Sequence, residues 1–335
     1  MFRGMFRGKR ERSDYADIRG MGTFSLRTRD QILLAMIVVL GVILALGLPA
    51  SSVGVVSEIG ADGQPLYANA DLSAVPQSVA DDAARSATQL FGKYGKESDR
   101  FVDELLATYV RSQDKDVVIL FNPGGWGYGP MDTKRPWGSI LSGMQSQLSD
   151  STMDSLILTY QRSADGFQAC CEEFTEILRD YSSKAKILAS RVQFLTAHNP
   201  GLKVVIVGES TGAQMGGEAM DILSRNPQVF SIQIGPPCWY HHDDTGRTLV
   251  ITNNGIAPDS FSRGDALTII RANLSALFGE YQAEDDRGTV LKYLRAPGHD
   301  YWWDYPGVSS QITRFFEENV GIGNLVSTTS SACGK

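Results

Sequence analysis

The chain has 335 residues, 42% of them hydrophobic, enough for one substantial core with extensions. It carries 31 basic and 38 acidic residues, a net charge of −7 that is unevenly spread. Residues 1–30 hold eight basic and four acidic residues, a surplus of +4, so the rest carries about −11, and a body this acidic argues against nucleic acid as a partner.

Ile32 to Leu48 is a run of seventeen residues without a charged or polar side chain. With its flanks it reaches the ~20 residues a membrane span needs, so residues 31–50 are predicted to form a transmembrane helix. No Lys or Arg occurs between Asp30 and Arg85, which puts the basic tail in the cytoplasm and the body outside it. The rival is a signal peptide cut near Ala50; the long basic head and the poor site Leu48-Pro49-Ala50 disfavour it. Residues 51–78, rich in Ser, Ala, Gly and Asp, read as a linker. Helical patterns at 79–92 and 97–112 read as an extension packed on the domain edge, ending near 114.

The main domain is expected over 115–322, with a flexible tail at 323–335. Val117 to Phe121 is a continuous apolar run, the mark of a strand covered on both faces, and it ends in Asn122-Pro123-Gly124-Gly125-Trp126-Gly127. A helix through Leu141, a strand at Leu156–Tyr160 and one long helix over 170–197 follow; Asn199-Pro200-Gly201 stops that helix. Val204-Val205-Ile206-Val207 is a buried strand, followed without a gap by Gly208-Glu209-Ser210-Thr211-Gly212 and a small-residue helix to about Ser224. Strands at 229–234 and 248–252, a helix at 266–277, a strand at 290–294 and a closing helix carrying Val308, Ile312, Phe315 and Phe316 complete the pattern. Strands alternating with helices predict an α/β fold, a mostly parallel sheet with helices on both faces. No internal repeat and no sizeable inserted lid is visible.

Strand, serine turn and helix are the context in which Gly-x-Ser-x-Gly acquires meaning. The serine must adopt strained backbone angles, and Gly208 and Gly212 remove side chains that would collide with neighbouring elements. A serine hydroxyl needs a base, and the chain has only four histidines. His198 ends the helix before the elbow strand, and His241 and His242 lie in a polar loop with Asp243 and Asp244. His299 follows the last predicted strand, which makes it the candidate base. Asp259 is the first acid after strand 248–252 and the candidate partner of that base; Asp265, Asp243 and Asp244 are the alternatives. Thr211 N–H, with Gly125 or Trp126 N–H from the glycine-rich loop, would bind an oxyanion. That loop lacks the Gly-Lys-Ser/Thr ending of a nucleotide cradle. The segment His241-His242-Asp243-Asp244 reads as a solvated loop rather than a metal site, because adjacent ligands point apart. Trp126, Trp137, Trp239, Trp302 and Trp303 are candidates for an apolar pocket or for ordinary packing. The cysteines Cys170, Cys171, Cys238 and Cys333 have no metal spacing; outside the cytoplasm Cys238 would pair with Cys170 or Cys171, or all are free thiols.

Taken together, residues 115–320 resemble an α/β-hydrolase fold serine hydrolase. The resemblance rests on the turn after Phe121, on Gly208-Glu209-Ser210-Thr211-Gly212, and on the order Ser, Asp, His ending in Gly298-His299 before the closing helix. The helix ending Ala197-His198-Asn199-Pro200 is similar to that of lipase- and cutinase-like members. The resemblance implies Ser210 as nucleophile, His299 as base, Asp259 as acid, Thr211 with Gly125 or Trp126 as oxyanion donors, and no cofactor. Three positions depart from it: Asn122-Pro123 replaces His-Gly, the acid loop lacks Gly-x-x-Asp spacing, and Glu209 replaces His or Tyr. The expected activity is cleavage of a small-molecule or lipid-like carboxylic ester by a membrane-anchored protein. A peptidase or thioesterase would use the same machinery, and a non-catalytic binding module at the cell surface is the alternative from another class.

Overall fold

β-Branched residues dominate the central strands, and their alternation sends neighbours to opposite faces of the sheet. The structure is a computed structural model and describes residues 57–60, 64–92, 95–127, 135–163, 167–240, 246–278, 288–290 and 294–322. Among these residues six strands form the main sheet: β1 (Ser57–Ile59), β2 (Val117–Asn122), β3 (Ser155–Gln161), β4 (Lys203–Glu209), β5 (Val229–Ile234) and β6 (Thr248–Ile251). Their order is β1-β3-β2-β4-β5-β6, with β1 antiparallel to β3 and the rest parallel. The helices are α1 (Gln77–Phe91), α2 (Lys96–Ser112), α3 (Pro136–Asp150), α4 (Phe167–Leu178), α5 (Ser182–His198), α6 (Thr211–Ile222), α7 (Ala266–Phe278) and α8 (Pro306–Phe315).

Val118, Leu120, Val204 and Ile206 enter a core shared with α1, α2, α5 and α6. Val117, Ile119, Phe121, Val205 and Val207 enter a second core, closed by α3 and α8. This is a mixed, mostly parallel sheet covered by helices on both sides, an arrangement consistent with the α/β-hydrolase fold. The chain leaves β2 towards β3 on one side and returns to β4 on the other, so strand order reverses between β2 and β4. Loops leaving adjacent strands diverge at such a point and open a crevice at the carboxyl edge. Two glycine-bearing turns, after Asn122 and after Glu209, lie there.

Three expectations are corrected. Part of the expected linker is a sheet strand: β1 lies within 51–78, and its Glu58 is fully buried against Arg191 of α5 (3.2 Å) and Thr108 of α2. A buried ion pair holds three residues whose composition alone resembles a loop. The single helix over 170–197 is two helices, α4 and α5, separated where Asp180 and Tyr181 take left-handed angles (φ 52° and 53°). Among the described residues the strand at 290–294 is instead a separate antiparallel pair, β7 (Thr289–Val290) and β8 (Leu294–Arg295), and the main sheet ends at β6. The predicted anchor at 31–50, the basic tail 1–30 and the tail 323–335 lie outside the described residues. Among the described residues no helix is long and apolar enough to cross a membrane, and no disulfide joins Cys238 to Cys170 or Cys171.

One carboxylate on α6 makes stability depend on pH. Partial burial, and then Asp221 and Asp180 nearby, raise Glu218 from its ordinary 4.5 to about 7. A raised folded-state value favours the protonated form, so its contribution is complete below 4.5 and is lost as pH rises through about 7. Glu218→Gln is therefore expected to raise the melting temperature at pH 8 and to give no gain at pH 4.5; an equal change at both values would contradict this.

Candidate active site

The site is built from loops at the carboxyl edge of β2, β4, β5 and β6. Ser210 occupies the step between β4 and α6 with φ 52° and ψ −120°, a conformation L-residues avoid. Its N–H donates to Ile234 O at the end of β5 (2.8 Å), and its carbonyl accepts from Ala213 N (2.9 Å). Side chains are missing where the turn is tightest. A Cβ on Gly208 would stand 2.5 Å from Ala213 Cα, and one on Gly212 2.2 Å from Asn122 O. Ser210 is 4% exposed, and its Oγ has no hydrogen-bond partner among the described residues.

His299 and Asp259 are brought together from residues forty apart. His299 Nδ1 lies 2.8 Å from Asp259 Oδ2. A carboxylate only accepts, so Nδ1 carries the proton and Nε2 is the ring's basic nitrogen. Asp259 is fully buried and well satisfied: Oδ2 also accepts from Tyr301 OH (2.6 Å) and Ser262 Oγ (2.8 Å), and Oδ1 from Phe261 N (2.8 Å) and Ser262 N (3.1 Å). Burial alone would raise its pKa, but the hydrogen bonds and charge of His299, with Tyr301 and Ser262, outweigh it and hold Asp259 below the usual 3.8. The loops carrying the two residues are laced together. Asn254 Nδ2 donates to Asp300 O (2.7 Å), Ser260 N to Pro297 O (3.0 Å), and bare Gly298 (φ 82°) lets Pro258 O approach. The His299 ring packs on Gly235, the residue after Ile234, so His299 and Ser210 both border the end of β5.

The alternatives for the acid separate clearly. Asp265 caps α7, accepting from Thr268 N (3.1 Å) and Thr268 Oγ1 (2.7 Å). His241, His242, Asp243 and Asp244 lie outside the described residues.

The glycine-rich loop meets the elbow directly: a Cβ on Gly124 would stand 3.2 Å from Ser210 Cβ. Gly125 (φ 59°) and Gly127 (φ 72°) take left-handed angles. Gly127 N donates to Gly124 O (3.1 Å), and Glu209 accepts from Gly124 N–H. The N–H groups of Gly125, Trp126 and Thr211 make no hydrogen bond among the described residues and so are available to an oxyanion. Burial raises the Glu209 carboxyl, with His299 and the Gly124 N–H opposing it. Glu209 borders a cavity of about 10 Å³, room for one water, lined by Phe121, Trp137, Ile140, Leu141, Ile234 and Tyr301. Of the five tryptophans, Trp137 stacks on Phe121 (5.0 Å), Trp239 meets Phe261 edge-on (5.4 Å), and Trp303 covers Gly143.

Sequence reasoning missed a buried group behind the loop. Arg162, at the carboxyl end of β3, donates through Nε to Glu173 Oε1 (2.7 Å), through Nη1 to Pro123 O and through Nη2 to Thr211 Oγ1 (3.1 Å). Glu173 also accepts from Tyr181 OH (2.7 Å) and Lys184 Nζ (2.6 Å). Burial works against the Glu173 charge, but Arg162 and Lys184 outweigh it and keep the carboxyl below its usual value. The available signal was a cation immediately after a strand, at the edge where sites assemble, and an acid on the apolar face of a helix. Tyr301, two residues from His299, bonds the same carboxylate and carries no local mark of that role.

No family model and no curated protein matches the chain. Among solved structures it is similar to Trichoderma reesei cutinase in complex with a phosphonate inhibitor, at 14% identity over 53% of this chain and 76% of that one, with a TM-score of 0.32. It is also similar to dienelactone hydrolase from Anabaena variabilis, at 18% identity over 61% and 85%, with a TM-score of 0.28.

Gly212→Ala would push a Cβ into Asn122 O and Pro123 O, both backbone atoms that cannot step aside. Urea unfolding is expected to show a loss of about 1–3 kcal/mol, and a variant as stable as the parent would mean that the elbow has slack.

Proposed function

We propose that this chain is a membrane-anchored serine hydrolase that cleaves carboxylic esters outside the cytoplasm. The observation that carries the reading is the His299–Asp259 pair, bonded at 2.8 Å and held over the same strand end as a strained, unpartnered Ser210. Ser210 Oγ attacks the ester carbonyl carbon while His299 Nε2 takes its proton. Asp259 holds the tautomer and stabilises the imidazolium; Tyr301 OH and Ser262 keep that carboxylate ionised and aimed. The Ser210–His299 hydrogen bond forms as substrate enters, as in many enzymes whose free sites are loosely aligned. Negative charge on the carbonyl oxygen is met by Thr211 N–H and a donor from Gly125 or Trp126. Collapse of the tetrahedral intermediate expels the alcohol with the proton from His299, leaving an acyl group on Ser210. Water, deprotonated by His299, then releases the acid. The apolar run Ile32–Leu48 and its flanking charge contrast support the anchor and its orientation.

Labelling of the full-length chain by a fluorophosphonate tests the reading. Wild type is expected to label and Ser210→Ala to lose labelling altogether; a folded wild type that stays unlabelled would rule the proposal out. Asp259→Asn should leave the fold intact and lower kcat for a short-chain ester about 10³–10⁴-fold, because the base is then held in the wrong tautomer. A loss below tenfold would remove Asp259 from the triad.

A further inference from the structure

Four carbonyls of the loop behind Ser210 are tied down by groups outside the loop. Pro123 O accepts from Arg162 Nη1, Gly125 O from Thr211 Oγ1 (2.8 Å), Trp126 O from Ser163 Oγ, and Gly127 O from Arg162 N (2.8 Å). Each trans peptide points its N–H opposite to its carbonyl. Anchoring Gly125 O at Thr211 therefore turns the Trp126 N–H away from the Thr211 side chain and fixes its plane. The hydroxyl that does the anchoring is itself charged from behind, because it accepts from the Arg162 guanidinium (3.1 Å) while donating to Gly125 O.

The charges behind the hydroxyl form a buried cluster, with the partly buried Glu172 carboxylate also facing Lys184. Arg162, Glu173 and Lys184 are all buried, two cations sharing one carboxylate, and Lys184 Nζ also donates to Arg162 O (2.6 Å). Tyr181 OH donates to the same carboxylate. The guanidinium also packs against Gly127, where a Cβ would stand 2.8 Å from Arg162 Cζ. A guanidinium with no solvent around it acts strongly over the few ångströms to the loop.

We propose that Thr211 Oγ1, backed by Arg162, is a positioning group that aims and polarises the Trp126 N–H as an oxyanion donor, through a relay from guanidinium to hydroxyl to the Gly125 carbonyl. This rests on the hydrolase reading above and extends it: the residue after the nucleophile serves the oxyanion twice, by its own N–H and by its side chain. Hydrogen bonds in a chain polarise one another, so each link strengthens the terminal donor. The device works in the transition state, when charge develops on the carbonyl oxygen, and leaves substrate binding nearly untouched.

The test compares wild-type full-length chain with Thr211→Val, which keeps the shape and removes the hydroxyl, and Thr211→Ser, which restores it. Thr211→Val is expected to lower kcat for a short-chain ester on the order of 10–100-fold, below the 10²–10³ lost with a whole oxyanion donor. Its KM should stay within about twofold of wild type, as for an interaction made only in the transition state, and its phosphonate labelling should slow in parallel with kcat. Thr211→Ser should recover most of the rate. Equal losses in both variants, or a kcat for Thr211→Val within threefold of wild type, would overturn the proposal. A second measurement needs no turnover: in ¹⁵N-labelled protein the Trp126 amide proton should move upfield in Thr211→Val and return in Thr211→Ser, with the Gly125 amide little changed. An unmoved Trp126 amide overturns the relay whether or not the protein hydrolyses esters. A wild type that neither labels nor turns over sinks the hydrolase reading, while the amide shift still decides the relay. If Thr211→Val fails to fold, Thr211→Ala carries the same comparisons.

Discussion

The structure turns on one backbone conformation, the positive φ of Ser210. Such a residue costs about 1–3 kcal/mol and persists only where its surroundings over-determine it. Here they do: β5 accepts its N–H, α6 begins on its carbonyl, and three neighbouring glycines leave no room for side chains that would force it open. The Cβ-free approaches differ in kind. Gly208 lets the start of α6 fold back over β4, Gly212 lets α6 sit on the end of β2, and Gly124 lets the loop reach Ser210. Replacing any one moves two elements at once, because the atoms in the way are mostly backbone.

Around this point the molecule spends buried charge freely. Arg162 shares Glu173 with Lys184, and Arg191 shares two carboxylates, Glu58 and Glu104. Taking such groups out of water is expensive and adds little to stability compared with apolar packing of the same volume. Their return is directional. Arg191 draws the edge strand β1 onto α2 and α5, with its guanidinium over the Phe101 ring (4.8 Å). Arg162 holds a glycine-rich loop, which has little packing of its own, in one arrangement. The one cluster completes the sheet, and the other completes its crevice.

The loops carrying His299 and Asp259 follow a different logic, that of mutual backbone recognition. Asn254 is buried and uses its side chain to close its own turn, at Ile256 N and Ala257 N, and to hold Gly298 O and Asp300 O. His299 and Asp259 therefore meet on frames that are already joined, and their side-chain entropy is lost on folding. Phe261 and Tyr301 stand edge-on to the imidazole and fix its rotation.

What the sequence determined by itself was whatever local chemistry dictates. Runs such as Val204–Val207 can only be buried strands, Gly208 and Gly212 announce a tight turn, and the order of strands and helices implies a parallel sheet. The positions of Ser210, Thr211 and the loop after Asn122 follow from this, since each lies within a residue or two of a strand end. Tertiary structure decided what depends on distant partners. Asp259 and Asp265 look alike in sequence, yet one faces His299 and the other caps a helix, because the turn at Pro258 is pinned by Gly298, forty residues on. The break at Asp180 and Tyr181 escaped the helical periodicity because apolar spacing continues across it, and Tyr181 turns inward to bond Glu173. Strand β1 and the Arg162 cluster were illegible for the same reason. A buried charge is recognised by its partner, and no local pattern of hydrophobic residues encodes a partner that the fold has yet to bring near.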